Sequence, residues 1–484
     1  MKRLYNIITI SWLLAVLISA QTGCKKLVDP NAPTEKIGIE DVYTNDKTAA
    51  SVLTRLLGEM SRVSEGLNGY PMLLAISADD LKVAAWIDAG TERIYFNSLR
   101  SDPTEWWSKL YNYIYTANDA MEQLPPSTGV SEQVKNLLLG EARFVRAYSY
   151  FYLVNTYGGV PLVLTTDYRQ TSELGRTDTA AIYNQIITDL TVAKELLSKD
   201  YLGSNMLPTT SGDRLRPVKA TAAGLLARVY LYTKEYAKAE AEASEVIANT
   251  ATYGLVDPNL VFRKNSKETI WQLPVVQPGS QTLDGMTYIL RKLSPSDPQG
   301  PTYSQPYLAS DFLLNTFETG DLRKTKWIGD SAGYKFINKY KEWDASKPII
   351  EATMMMRLGE QYLIRAEARV NQEKIADGIA DLNVLRQRAR GTNPGDLPAL
   401  STGLSKANAL LAVEHERQVE LFTEWGHRWF DLKRTGRMDA VMSMATAVKS
   451  SNLNKWESFR SLWPIPAGEI LNSPGLTGHQ NQGY

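Results

Sequence analysis

Apolar residues recur at three- and four-residue spacing along most of the chain, and each such run predicts an amphipathic helix. The pattern is plain in "TNDKTAASVLTRLLGEMSRV" and in "PTEWWSKLYNYIYTANDAMEQL". It continues in "SEQVKNLLLGEARFVRAYSYFYLVNTYGGVPLVL", a long helix that Gly158 and Gly159 should stop, followed by a short strand-like piece. "DTAAIYNQIITDLTVAKELL" is a further helix, with Asp178 or Thr179 placed to accept from its first free amides.

Two later segments repeat one unit. In "PVKATAAGLLARVYLYTKEYAKAEAEASEVIAN" the residues Ala227, Tyr230, Tyr236, Ala239 and Val246 follow the small–large–large–small–large spacing of a tetratricopeptide helix pair. Ala366, Ile375, Gly378, Leu382 and Leu385 fall in the same register, and in both units the two small positions lie 12 residues apart. Small residues let two helices approach closely, and large ones fill the groove between units. The fold class that follows is mainly α: a tetratricopeptide-like solenoid of about four helix pairs, near 46–124, 132–197, 217–249 and 353–390. Residues 250–350 differ in being rich in Pro, Gly, Ser, Tyr and Gln, and read as a loop-rich insert carrying short strands.

Composition adds a compartment. Cys24 is the only cysteine in 484 residues, so no internal disulfide is available. Before it come Lys2 and Arg3, an apolar run from Ile7 to Ala20 too short to span a bilayer, and the small residues Thr22 and Gly23. This is a secretory signal over 1–23. The cysteine just past the cleavage site resembles a bacterial lipobox, with Gln21 where Leu is usual, and the resemblance implies lipidation of Cys24. A polar tether over 24–40 then leads into one folded body, 41–484. Basic and acidic residues number 53 each, so no global field draws nucleic acid or an anionic surface.

The catalytic motifs dissolve on inspection. "GDSAG" (Gly329 to Gly333) has the spacing of a hydrolase nucleophile elbow, but strand-like residues flank it on both sides, which predicts a hairpin turn. "HERQV" lacks the second His of a zinc helix, and Glu424 with His427 has no second copy to complete a carboxylate-bridged centre. These two read as surface or ion-paired groups at a helix end. Glu416, Glu420 and Glu424 form a stripe near Arg417 and Arg428 that reads as a structural ion network. No catalytic residue, metal ligand or cofactor is assigned.

Three stretches together carry a family resemblance: "LGEARFVRAYSYFYLVNTYGGVPLVL", "VEHERQVELFTEWGHRWFDLKRTGR" and the terminal "LWPIPAGEILNSPGLTGHQNQGY". In this order, and with the lipobox and repeats, the chain resembles the SusD/RagB family of outer-membrane nutrient-binding lipoproteins of Bacteroidetes-type bacteria, with the family's C-terminal signature over 403–484. The resemblance implies a right-handed solenoid of four units with a loop-rich face, set as a lid on a SusC-like TonB-dependent transporter. It also implies capture of a glycan, or in some members a peptide, without covalent chemistry. The three stretches read as scaffold: a helix meeting Trp425, Trp429 and Phe430, and a proline-stiffened tail wrapping back over the body.

No motif carries the family's ligand site, so its residues must come from chemistry. A sugar needs aromatic faces against its C–H surface, flanked by planar hydrogen-bonding groups. "SADDLKVAAWIDAGTERIYFN" supplies Asp79, Asp80, Trp86, Arg93, Tyr95 and Asn97, and the insert supplies Trp271, Tyr288, Tyr303 and Tyr307. Asp80, Trp86, Arg93, Tyr95, Tyr288 and Tyr303 form the candidate set, with Trp86 and one or two tyrosines stacking on the ligand. Two rival readings stay open: a lipid-anchored glycosidase, and a tetratricopeptide scaffold that binds only proteins.

Overall fold

The computed structural model describes residues 42–62, 69–101, 104–291 and 300–484. The signal segment, Cys24 and the tether lie outside the described residues. The principal helices are α1 (Asp46–Ser61), α2 (Tyr70–Ser77), α3 (Ala89–Tyr95), α4 (Trp106–Gln123), α5 (Glu132–Tyr157), α6 (Thr179–Leu196), α7 (Lys219–Tyr232), α8 (Tyr236–Ala248), α9 (Leu358–Asn371), α10 (Ile375–Ala389), α11 (Lys406–Leu421), α12 (His427–Arg434) and α13 (Met438–Lys449). Six short strands accompany them: β1 (Leu81–Val83), β2 (Thr269–Leu273), β3 (Tyr307–Ala309), β4 (Ile328–Ser331), β5 (Tyr334–Ile337) and β6 (Thr353–Arg357).

From α4 to α10 each long helix packs on the next in sequence, and α1 closes the first pair against α4 and α5. The result is the mainly α, tetratricopeptide-like stack of four pairs that the apolar spacing predicts. The small residues act as expected: Ala227, Ala239 and Ala366 are fully buried. A Cβ on Gly378 would stand 2.8 Å from the Ala366 carbonyl and closer still to Val370, so only glycine admits this approach of α10 to α9. α5 ends at Gly158, whose φ of 77° suits glycine, and Asp178 caps α6 through the Ala180 amide. After Gly159 the expected strand reduces to a single bridge, Val160 to Thr177.

Buried ion pairs tie the stack together. Asp189 of α6 takes Arg143 and Arg146 of α5, and Arg228 of α7 forms a two-pronged pair with Glu360 of α9 at 2.6 and 2.7 Å. The largest network surrounds the glutamate stripe of α11. Glu420 meets Arg323 at 2.9 Å, Arg357 at 2.6 Å and Arg388, while Glu416 meets Arg323 and Arg386. Burial works against ionising Glu420, but the guanidiniums of Arg388, Arg357 and Arg323 outweigh it and hold the carboxyl well below the usual range. The partners expected from sequence are corrected here. Arg417 and Arg428 do not join this network: Arg417, within α11, donates to Asp431 of α12, and Arg428, on α12 beyond the helix end at Leu421, donates to Asp79.

The strands form three two-stranded antiparallel sheets, β1–β3, β2–β6 and β4–β5. Residues 329–333 are the predicted hairpin, with Ala332 and Gly333 both at positive φ and Ile328 opposite Ile337. The terminal stretch wraps back over α5: Trp463 donates its amide to Thr156, and Asn481 donates to the carbonyls of Tyr157 and Trp463 while accepting from Arg176.

Candidate functional site

The β1–β3 pairing sets the geometry of the exposed aromatic face. Leu81 lies opposite Ala309 and Val83 opposite Tyr307, and Ala84 extends the ladder by donating to Pro306. Continuing that register carries Trp86 to the tight turn closed by Thr302 and Gln305, whose first central residue is Tyr303. The two rings stack, centroids 5.1 Å apart and planes 26° apart. Trp86 is 68% exposed and Tyr303 66%, so neither stack nor turn covers the outer faces. A large aromatic pair left in water is uncommon without a binding role.

Both rings are held from behind. Asp88 accepts from the Gly90 and Thr91 amides and the Thr91 hydroxyl, capping α3 and fixing the segment that carries Trp86. Burial would raise the Asp88 carboxyl, but the bonds from Thr91 and Gly90 prevail and lower it, keeping a carboxylate beside the platform. Tyr307, buried on β3 opposite Val83, has its phenol pushed up to about 12 by burial, then by the charges of Asp88 and Tyr303. Tyr334 of β5, 40% exposed, lies against Gly300, shortly before the Tyr303 turn. A Cβ at Gly300 would come within 2.9 Å of the Tyr334 ring, and φ there is 149°, so only glycine admits this approach of a third exposed aromatic. Sequence reading missed Tyr334, although the hairpin reading of 329–333 put it directly after the turn.

The other candidates separate by burial. Arg93 stands exposed on α3, the helix that Trp86's segment enters. Three of the six are corrected to internal roles. Tyr288 is 2% exposed and packs edge-on to Tyr307, because the short helix Leu283–Tyr288 folds beneath β3. Tyr95 is buried under the Lys449 ammonium, 5.0 Å from its ring centre. Asp80 is buried and accepts the Thr423 amide at 3.1 Å, and burial, then the neighbouring Asp79 carboxylate, push its carboxyl up to about 7. Asp79 is itself gripped by both ends of the Arg428 fork at 2.7 Å. Asn97 and Trp271 are likewise internal, Asn97 donating to the Ser77 carbonyl and Trp271 to that of Leu215. The two aspartates fasten the base of β1 to the turn between α11 and α12; they offer no atom to a surface ligand.

The Glu424 and His427 pair also lies inside, so of the two alternatives, surface or ion-paired, the surface one is corrected and Glu424 is ion-paired. Glu424 is held by Arg357 at 2.8 Å and Lys339 at 2.5 Å. Burial, then the Arg228 charge, keeps His427 far below its ordinary value and therefore neutral. Among the described residues no group of three His, Cys, Asp or Glu side chains is arranged to hold a metal ion. The platform can therefore stack a flat or C–H-rich surface and offer hydroxyl and carboxylate groups at its edge.

Comparison with known proteins places the chain in a family. A family model described as starch-binding and associating with the outer membrane matches residues 77–231, and one described as the SusD family matches 331–484; together they span well over half of the chain. The chain belongs to the SusD/RagB family. A SusD-like protein P2 from Formosa agariphila is 26% identical, over 97% of this chain and 98% of that one. The starch-binding protein SusD of Bacteroides thetaiotaomicron is 24% identical, over 79% of each. Among solved structures, a laminarin-binding SusD-like protein superposes with a TM-score of 0.73 at 22% identity, covering 91% of this chain and 100% of that one. A surface glycan-binding protein A from Bacteroides fluxus gives the same score and identity over 91% and 99%. In this SusD-like chain Trp86 and Tyr334 fall within the matched stretches, whereas Tyr303 lies between them, where neither family model reaches.

Proposed function

We propose that this SusD-like chain is a capture protein for a glycan, bound on the outer faces of Trp86 and Tyr303 with Tyr334 and Arg93 at the margins. The observation that carries this reading is the stacked, two-thirds-exposed aromatic pair, held rigidly from behind yet uncovered in front. Indole and phenol faces suit the C–H surface of a sugar ring, and a pre-set pair loses little freedom when the ligand arrives. The family descriptions and the starch, laminarin and surface-glycan specificities named for its relatives support the same class. Lipidation at Cys24 would hold the protein on the outer membrane facing outward, and delivery would be to a SusC-like TonB-dependent transporter. The bound glycan leaves chemically unchanged.

The test is calorimetry and affinity electrophoresis against starch, laminarin and a wider panel of polysaccharides, with reducing ends assayed in the same samples. Binding without new reducing ends supports capture. Steady release of reducing ends would replace it with a glycosidase, and silence across glycans with a transporter recovered by pull-down would favour a protein scaffold. Membrane fractionation of Cys24→Ala tests the anchor: the variant should become soluble, and persistent membrane association would remove lipidation from the account.

A further inference from the structure

A second concavity lies on different elements, between the ends of α7 and α9, the length of α11 and the first turns of α12. It encloses about 320 Å³, near the lower end of the roughly 300–1,000 Å³ usual for small-molecule sites. Leu231, Leu410, Val413 and Phe422 give it an apolar lining, and Leu411, 52% exposed, stands at its mouth.

Its charge does not balance. Five cationic side chains line it against three acidic ones, and all three acids are already engaged. Asp431 accepts Arg417 Nε at 2.6 Å and Arg434 Nε at 2.8 Å. Glu367 takes both terminal nitrogens of Arg434. Glu414 takes Arg437 Nε at 3.1 Å and Arg428 at 3.4 Å. Of the five cations, Lys234 is exposed and takes none of these acids, and Arg417 gives Asp431 only its Nε. Arg417 is 3% exposed, and both of its terminal nitrogens lack a partner, as does the hydroxyl of Tyr232 in the same wall. Such donors are normally satisfied inside a protein, and an unsatisfied guanidinium is the rarer and costlier case.

We propose that this cavity binds a small organic carboxylate with an apolar body. The two free nitrogens of Arg417 match a carboxylate in fork geometry, Tyr232 supplies a further donor, and Leu410 and Phe422 receive the body. An inorganic dianion would leave the apolar lining unused, and a neutral sugar would leave the arginine unpaired. The site shares no element with the Trp86 platform, so its fate is independent of the glycan reading.

The experiment is calorimetry and saturation-transfer NMR on the purified protein with benzoate, D-glucuronate and N-acetyl-leucine, each beside a neutral counterpart (benzyl alcohol, D-glucose, N-acetyl-leucine amide). At least one carboxylate should bind about tenfold more tightly than its neutral counterpart, and which one names the source: an aromatic acid, an acidic sugar or a peptide terminus. Arg417→Gln should abolish that preference. Because it also frees Asp431, Leu411→Trp serves as the second variant: it blocks the mouth, touches no ion pair, and should cut carboxylate affinity about tenfold with the melting temperature unchanged. Equal binding of charged and neutral probes, carboxylate binding intact in both variants, or no binding of any carboxylate up to about 10 mM would each overturn the proposal.

Discussion

Trp86→Ala is the sharpest probe of the aromatic platform. A tryptophan presents on the order of 150–250 Å² of surface, and 68% of Trp86 is in water in the free protein. One sugar ring covering about half of that exposed surface removes roughly 50–85 Å² from water, worth about 1.3–2 kcal/mol at ~25 cal/mol per Å². Affinity for the bound glycan should therefore fall about 10- to 30-fold. Stability should change by no more than about 0.5 kcal/mol, since the side chain has one ring partner, Tyr303, and is otherwise exposed. Titration calorimetry with the panel's best glycan gives the first number, and urea denaturation the second. A folded Trp86→Ala protein whose affinity stays within about twofold would refute the reasoning, because no other arrangement of an exposed indole face could leave so little trace.

Tyr303→Ala should weaken the same glycan to a similar degree, and the double variant should lose less than the sum of the two, because each ring orients the other; strict additivity in the binding cycle would mean the rings act separately. Asp80 gives a pH signature: its carboxyl stands near 7 in the folded chain against an ordinary 3.8, so the folded state holds its proton more tightly than the unfolded one. Its contribution is therefore fully present below pH ~4 and is lost as pH rises through 7, and Asp80→Asn should gain stability relative to the parent across that window, the gain being larger at pH 8 than at pH 5 in denaturation curves. A gain in the opposite direction would remove the buried-proton assignment. Glu420→Gln should cost about 3 kcal/mol in chemical denaturation by removing the buried carboxylate that Arg323, Arg357 and Arg388 share, although each keeps another acidic partner, whereas a loss below about 1 kcal/mol would show that water reaches the network.

The solenoid could be read from the chain because its signal is local: small residues 12 apart can do their work only if two helices cross closely, and Gly378 against Ala366 meets that condition. The exposure of Trp86 was legible for the opposite reason, as an aromatic that fits no helix face. Tyr288, Tyr95 and Asp80 could not be sorted from Trp86 by the same reasoning. Their burial comes from partners far away in sequence: β3 for Tyr288, Lys449 for Tyr95 and Thr423 for Asp80. The glutamate stripe shows the limit most clearly. Helical spacing groups Glu416, Glu420 and Glu424, and all three do enter one buried network, yet the helix stops at Leu421. Glu424 joins through a turn in which Thr423, Trp425 and Gly426 all take positive φ. The same turn brings α12 back against α11, so that Asp431 meets Arg417 and Arg428 meets Asp79. Asp431 takes only the Nε of Arg417 and leaves its two terminal nitrogens free beside the apolar cavity, so the turn that follows α11 sets both the anchoring of β1 beneath the aromatic platform and the half-used guanidinium on the other side of the fold.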